Sequence, residues 1–345
     1  MDRTAQEEHA ANAQSVAHQA AHTIEVGDDV DPSDDGYATD DASRASTSVS
    51  SSVRDYSFEN GRRYHAFREG TYLFPNDESE QEREDMKHAM VVNLCGGALH
   101  YAPLEDPQKV IDIGTGTGIW AVDMGDEYPN ATVLGIDLSP IQPSWVPPNV
   151  KFMVDDAESR WLHPENHFDF VHIRNLASSI KDFPKLISAA YAHLKPGGWI
   201  ELQDLYFKVE CDDGSMPEDY VLAKWLDNME QGLQNFGVDL LGPRKHPAYV
   251  EEAGFVNVQQ KILKVPIGIW PKNKTLKTIG LYNRTMIIDG LQGNSMKVFT
   301  KGLGWSVQEV EVFNMEVRKA VMDSSIHSHL TFNVLYGQKP PENTA

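Results

Sequence analysis

Between residues 105 and 205 the chain alternates short apolar runs with stretches whose apolar residues recur every three or four positions. Val110–Ile113, Thr132–Ile136, Val150–Val154, Phe168–Ile173 and Trp199–Leu202 are short and dominated by apolar, mostly β-branched or aromatic, side chains. Such runs predict strands buried on both faces. Ile119–Tyr128 and Pro184–Leu194 read as helices, the second with Leu186, Ala190 and Leu194 on one face. Strands alternating with helices predict a parallel sheet covered on both sides. Upstream, residues 79–99 read as a helix carrying Met86, Met90 and Leu94 at spacing four. Downstream of Leu205 the rhythm breaks. Val221–Phe236 is a helix with Val221, Trp225 and Met229 on one face, and residues 275–315 also read as helical. Phe255–Ile267 and His329–Gly337 are late strands, expected to pair as antiparallel additions at the sheet edge, with the helices between them forming a cap. No internal repeat is evident.

Charge divides the chain. Residues 1–57 hold twelve Asp and Glu against three Arg, a net charge of −9 out of −21 for the 345 residues. They are rich in Ala, Ser, Asp and His and poor in large apolar residues, so this stretch is expected to be a disordered acidic tail. Its Ser-rich run from Ser43 to Ser52 offers phosphate acceptors, though a plain solvated tail is the expectation. An acidic chain with no Lys/Arg cluster does not attract a phosphate backbone, so direct nucleic-acid binding is not expected. Two distant cysteines, Cys95 and Cys211, do not make a disulfide scaffold. With no apolar leader and no span-length apolar run, the expectation is an intracellular protein, cytoplasmic or nuclear, without membrane contact.

The chemistry is concentrated in Val110-Ile-Asp-Ile-Gly-Thr-Gly-Thr-Gly118, which joins a buried strand to a helix. A dinucleotide fingerprint needs a third glycine at position 119, where this chain has Ile119. The pattern here is G-x-G-x-G, with Asp112 two residues ahead. A dinucleotide brings a pyrophosphate to seat on the helix N-terminus. S-adenosylmethionine brings an amino acid and a sulfonium instead, beside which the Asp112 carboxylate makes electrostatic sense. Asp137 closes the next strand, nineteen residues after Gly118, where an acid accepts hydrogen bonds from ribose hydroxyls. Asp155-Asp-Ala157 closes the third strand, within reach of an adenine edge. All these groups fall at the carboxyl ends of strands, where open α/β sheets bind ligands.

Ile111-Asp-Ile-Gly-Thr-Gly-Thr-Gly-Ile-Trp-Ala121 resembles the class I S-adenosylmethionine-dependent methyltransferases, and more narrowly the fungal LaeA-like group. Glu59–Tyr72, Pro75-Asn-Asp77, Gly135–Pro143, Leu194–Trp199 and Gly337-Gln-Lys-Pro340 match the same group. The resemblance covers about residues 58–340. It implies an α/β, Rossmann-like, seven-stranded, mostly parallel sheet with an antiparallel last strand. Helical cap insertions would lie at about 205–250 and 271–320. The cofactor implied is S-adenosyl-L-methionine, with Asp112, Gly114, Thr115, Gly116, Gly118, Asp137, Leu138, Asp156 and Ala157 at the cofactor positions and Tyr72 in the covering segment. A small-molecule acceptor is implied for tailoring enzymes of the group, and a velvet-type protein partner for its nuclear regulators.

Methyl transfer from a sulfonium needs positioning more than proton chemistry. His172, Arg174, Glu201, Gln203, Asp204 and Tyr206 stand near strand ends as base candidates, and none is singled out as the catalytic residue. His172 reads equally as a packed strand histidine, and Glu201 as a buried structural acid. His327-Ser-His329 lacks a third ligand, so no metal is expected. Three readings stay open: a methyltransferase tailoring a secondary metabolite, a regulator of the same fold working through partners, and a cofactor-binding protein without methyl transfer.

Overall fold

The computed structural model describes residues 3–27, 56–65, 67–68 and 72–342, with the backbone alone for 3–10. Its centre is a seven-stranded sheet. The strands are β3 (Lys109–Ile113), β4 (Thr132–Asp137), β5 (Val150–Val154), β6 (Phe168–Arg174), β7 (Leu194–Cys211), β8 (Val256–Pro266) and β9 (Ser328–Gln338). Their order is β5-β4-β3-β6-β7-β9-β8, and only β9 runs against its neighbours. A two-stranded hairpin, β1 (Ser57–Glu59) and β2 (Arg62–Tyr64), precedes the sheet.

Alternation along the strands sorts their side chains into two layers. Val110, Val133, Val150 and Phe170 face α3 (Ile119–Glu127), whose Trp120 and Met124 are fully buried. Ile111, Ile113, Val171 and Ile173 face α4 (Phe183–His193). The chain leaves β3 towards β4 and β5, then returns to the other side of β3 for β6 and β7. That reversal opens a crevice at the carboxyl ends of β3, β4 and β6.

A third apolar cluster lies beyond the strand ends. It is built by α2 (Glu78–Leu94), α5 (Val221–Gln234), α7 (Lys274–Lys297) and α8 (Val307–Val321), packed on Leu205, Val209, Leu263 and Phe332. The late strands lie within a residue of their expected bounds. Elsewhere the bounds shift for local reasons. Helix α2 stops at Leu94 because Gly96 and Gly97 adopt φ of +67° and +94°. The helical stretch expected over 275–315 is two helices, divided near Gly304 at φ +78°. Strand β7 runs to Cys211, so the cap begins later than 205. Helix α6 (His246–Glu252) inserts Val250 beside α4 and belongs to the sheet layer, not to the cap.

The largest departure is at the N-terminus. Arg3–Ala21 form helix α1, which rests on α2, α7 and β8. Val16, Ala20 and Ile24 are buried in the cap cluster, and burying a Val or Ile side chain contributes about 1.5–3 kcal/mol. Asn12 Nδ2 donates to Thr275 Oγ1 at 2.8 Å, Gly27 N donates to Trp270 O, and Val26 bridges Pro271. The expectation of a disordered tail through residue 57 therefore fails for this segment. Its three buried side chains, recurring every fourth position, supply the apolar face that the composition concealed. The Ser43–Ser52 run lies outside the described residues.

Candidate functional site

The loop after β3 is stiff before any ligand arrives. Gly114, Gly116 and Gly118 all sit at positive φ (+67°, +58°, +84°), a region that strains other residues. A Cβ at Gly114 would come within 2.5 Å of Leu176, and one at Gly118 within 2.3 Å of Phe152; one at Gly116 would meet nothing within 4 Å. The outer glycines are thus needed for packing, while Gly116 turns bare main chain to open space. Thr115 N donates to Ile136 O, and Thr115 Oγ1 to Asp112 Oδ2 at 2.6 Å. Gln142 Nε2 donates to Gly116 O and Ser139 O. Thr117 Oγ1 donates to Asp85 on α2.

Asp137 is the hinge of this network. Its Oδ2 accepts from Gly116 N and its Oδ1 from Ser139 N, each at 2.9 Å. Each carboxylate oxygen keeps a further lone pair for a ligand hydroxyl. Burial pushes this carboxyl up to about 6, with the two amides opposing and the Asp112 charge adding to the rise.

The loop, Asp137 and the first turns after β5 and β6 surround a cleft of about 1260 Å³, part of it open to solvent. Of the residues expected from sequence, Tyr72, Asp112, Gly114, Thr115, Gly116, Asp137, Leu138, Asp156 and Ala157 line it. Gly118 does not; it lies against the Phe152 ring at the start of α3. Asp156 is tied to its own turn through Glu158 N and Ser159 Oγ, and pairs with Arg68 at 2.7 Å. Asp112 also accepts from His172 Nδ1 at 2.7 Å.

Five of the six base candidates stand away from the cleft. His172 is fully buried and stacked on Trp120 at 3.6 Å, and burial lowers its pKa. It holds Asp112 in place. Glu201 is fully buried and receives Tyr101 N, Ala102 N and Gln203 Nε2, with burial pushing it up to about 7. Gln203 also binds Leu99 O. Asp204 accepts from Ala177 N behind the strand ends, and Tyr206 lies on β7 outside the cleft. Arg174 alone lines it. His327 binds Asp213, and no group of metal-ligating side chains occurs among the described residues.

Sequence reasoning missed the contribution of α2. Glu80, Glu84 and His88, spaced by four, turn one polar face of this helix into the cleft. That spacing was visible, but the apolar positions drew the reading instead. The helix is set by its N-cap Asp77, which accepts from Glu80 N and forms a two-point pair with Arg62 at 2.6 and 2.8 Å. Arg63 binds Asn76, whose Nδ2 reaches Ser139 beside Asp137. The hairpin, the helix start and the β4 end are therefore one hydrogen-bonded unit.

A second chamber of about 960 Å³, part of it likewise open to solvent, adjoins the cleft. Tyr72, Glu84 and Asn175 line both spaces. The chamber's walls come chiefly from Phe74, Phe207, Leu222, Trp225, Leu226 and Met286. Burial holds the Tyr72 phenol well above its ordinary value. Burial also pushes the Glu84 carboxyl up, but Lys87, Arg83 and Arg174 outweigh it and hold it at about 2. Lys87 Nζ donates to both Glu84 oxygens at 2.7 and 2.8 Å.

A family model described as a methyltransferase domain matches residues 83–260, the span from α2 through β8 that carries the cleft. The methyltransferase pytC of Aspergillus terreus is 43% identical over 304 residues, covering 87% of this chain and 93% of that protein. The chain belongs to the methyltransferase family, as a LaeA-like class I member. The secondary metabolism regulator LAE1 of Cochliobolus heterostrophus is 35% identical to this methyltransferase, over 82% of the chain and 95% of its own length. Among solved structures, a phosphoethanolamine N-methyltransferase 2 of Haemonchus contortus aligns with a TM-score of 0.43 and 19% identity. That alignment covers 79% of this chain and 54% of that one. The methyltransferase uses S-adenosylmethionine, and no helix among its described residues is long and apolar enough to cross a membrane.

Proposed function

We propose that the cleft holds S-adenosylmethionine and that the adjoining chamber holds a small, largely apolar metabolite, which the protein methylates. The observation that carries this reading is the shared wall of Tyr72, Glu84 and Asn175 between the glycine-loop cleft and a chamber of about 960 Å³. Partly enclosed, mostly apolar spaces with a few polar groups at one side suit small organic ligands. The named function of pytC, a relative at 43% identity, agrees with a methylating role.

The residues fit the cofactor. Gly114 and Gly116 offer exposed main chain. Asp137 offers two oxygens to ribose hydroxyls, with Leu138, Asp156 and Ala157 on the adenine side, and Asp112 holds Thr115 in the loop. The bound cofactor supplies an electrophilic methyl group on a sulfonium. The protein's own side chains orient and desolvate. The chamber's apolar wall excludes water from the acceptor. Tyr72 stays protonated and can donate a hydrogen bond at the junction. Glu84 stays ionised and paired with Lys87, so it faces the positive charge without serving as a base.

The test is an incubation of purified protein with methyl-labelled S-adenosylmethionine and an extract of a strain lacking the gene. Label entering one organic-soluble compound, absent from the wild-type strain's precursor pool, is expected. Label entering proteins alone would overturn the small-molecule reading. It would favour the regulatory role named for LAE1.

A further inference from the structure

We propose that Arg174 anchors the α-carboxylate of the cofactor's amino-acid end. This rests on the reading of the cleft given above.

Arg174 is the last residue of β6 and lines the cleft at the end opposite Asp156. The cleft is otherwise acidic. Glu80, Glu84, Asp112, Asp137, Asp155, Asp156 and Glu158 line it, and Arg174 is the one Lys or Arg among its described lining residues. A sulfonium and an α-ammonium find several carboxylates there. An α-carboxylate finds one cation.

The guanidinium is also short of partners. Its one side-chain hydrogen bond among the described residues goes to His88 Nδ1, at 2.8 Å. Because a guanidinium cannot accept, that nitrogen must be unprotonated. His88 therefore carries its proton on Nε2, which donates to Asp123 at 2.8 Å. The His88–Asp123 pair thus fixes Arg174 without neutralising it. Glu84, Asp112 and Asp123 are near enough to act on Arg174 through their charge, yet none reaches ion-pair distance. Burial lowers the Arg174 pKa, but a guanidinium remains charged. Most of its five donors therefore have no partner among the described residues, and the side chain lines the cleft, where an anion can take them.

The placement suits the ligand's length. β4 and β6 flank β3, so Asp137 and Arg174 stand two strand spacings apart, about 10 Å. From ribose to α-carboxyl the ligand has a tether of about six bonds, roughly 8 Å when extended. With ribose on Asp137, the tether crosses the glycine loop and its carboxylate arrives at Arg174.

The experiment is calorimetric titration with two probes. S-adenosylhomocysteine carries the amino acid, and 5′-deoxy-5′-methylthioadenosine lacks it. In Arg174→Met, affinity for the first is expected to fall about 10- to 100-fold, the range for losing a charge-assisted pair. Affinity for the second should change less than about twofold, within the ±0.5 kcal/mol usual for a change that breaks no contact. Arg174→Lys should recover part of the loss. Equal losses for both probes, or no loss for either, would overturn the proposal. Should Arg174→Met fail to fold, the wild-type protein still decides. The carboxamide of S-adenosylhomocysteine should bind it at least about tenfold more weakly than the parent, and equal binding overturns the proposal. Wild-type protein that binds neither probe would bring down the cleft reading as well; binding of methylthioadenosine with no preference for S-adenosylhomocysteine would bring down the Arg174 proposal alone.

Discussion

Cofactor affinity should fall as the pH falls through 6, because Asp137, the carboxylate proposed to hold the ribose, is itself half protonated there. Burial raises Asp137 to about 6. Its ionised form accepts from Gly116 N and Ser139 N and still offers a lone pair on each oxygen. Protonation turns one oxygen into a donor and removes part of that capacity. With a pKa of about 6, the group is roughly nine-tenths ionised at pH 7 and one-tenth at pH 5. If only the ionised form binds, affinity drops about tenfold between those values, about 1.4 kcal/mol. S-adenosylhomocysteine suits the assay, because its α-carboxyl and α-amino groups titrate outside that window. Titration calorimetry at half-unit steps should show the drop in the wild-type protein. Asp137→Asn should bind more weakly at pH 7 and show a flat profile. The free protein should respond in the opposite sense. An acid raised from 3.8 to about 6 on folding makes the folded state less stable as pH rises through that window. A wild-type profile flat from pH 5 to 7, or an Asn variant matching wild type, would refute this account of Asp137.

The loop glycines should separate by role. Gly116→Val, with open space ahead of its Cβ, carries only the left-handed backbone strain of about 1–2 kcal/mol and should stay folded and lose binding. Gly118→Ala, driven into the Phe152 ring, should lower the thermal midpoint by several degrees; equal behaviour in melting and titration experiments would contradict the contrast. Leu226→Trp, which fills the chamber from α5, should leave S-adenosylhomocysteine affinity within about twofold while abolishing the labelled product; lost cofactor affinity would show that the two spaces are not separate sites. Glu201, raised to about 7 by burial, destabilises the fold as pH rises from about 4.5 to 7, by roughly 3 kcal/mol. Denaturant titrations at pH 5 and pH 8 should show a smaller difference for Glu201→Gln than for wild type, and an unchanged difference would remove Glu201 from this role.

The sheet was legible because its strands are covered on both sides, so Val110–Ile113 and Phe168–Ile173 read as apolar runs whatever surrounds them. The cleft was legible as a place for a ligand for a related reason. Open parallel sheets put ligands at strand ends, and Gly114, Gly116, Asp137 and Asp156 stand there. What escaped was assembled from distant pieces. The chamber joins Phe74, Leu226, Met286 and Leu330, separated by up to 256 positions, and no local period marks such a set. The N-terminal segment escaped because three apolar side chains, Val16, Ala20 and Ile24, are a weak signal in an acidic, Ala-rich background. His172 and Glu201 had the right chemistry for bases. Only the fold shows that Trp120 covers one and that backbone amides occupy the other. Trp225 was legible as a packing residue on one face of its helix. It lines the chamber while its Nε1 binds Asn314.

The most direct test of the central claim is a crystal structure of the protein with S-adenosylhomocysteine. The account predicts the ribose hydroxyls on Asp137, the adenine beside Asp156 and Ala157, and the sulfur turned towards the wall of Tyr72, Glu84 and Asn175. Adenosine bound outside the glycine-loop cleft, or a sulfur facing away from the apolar chamber, would contradict it.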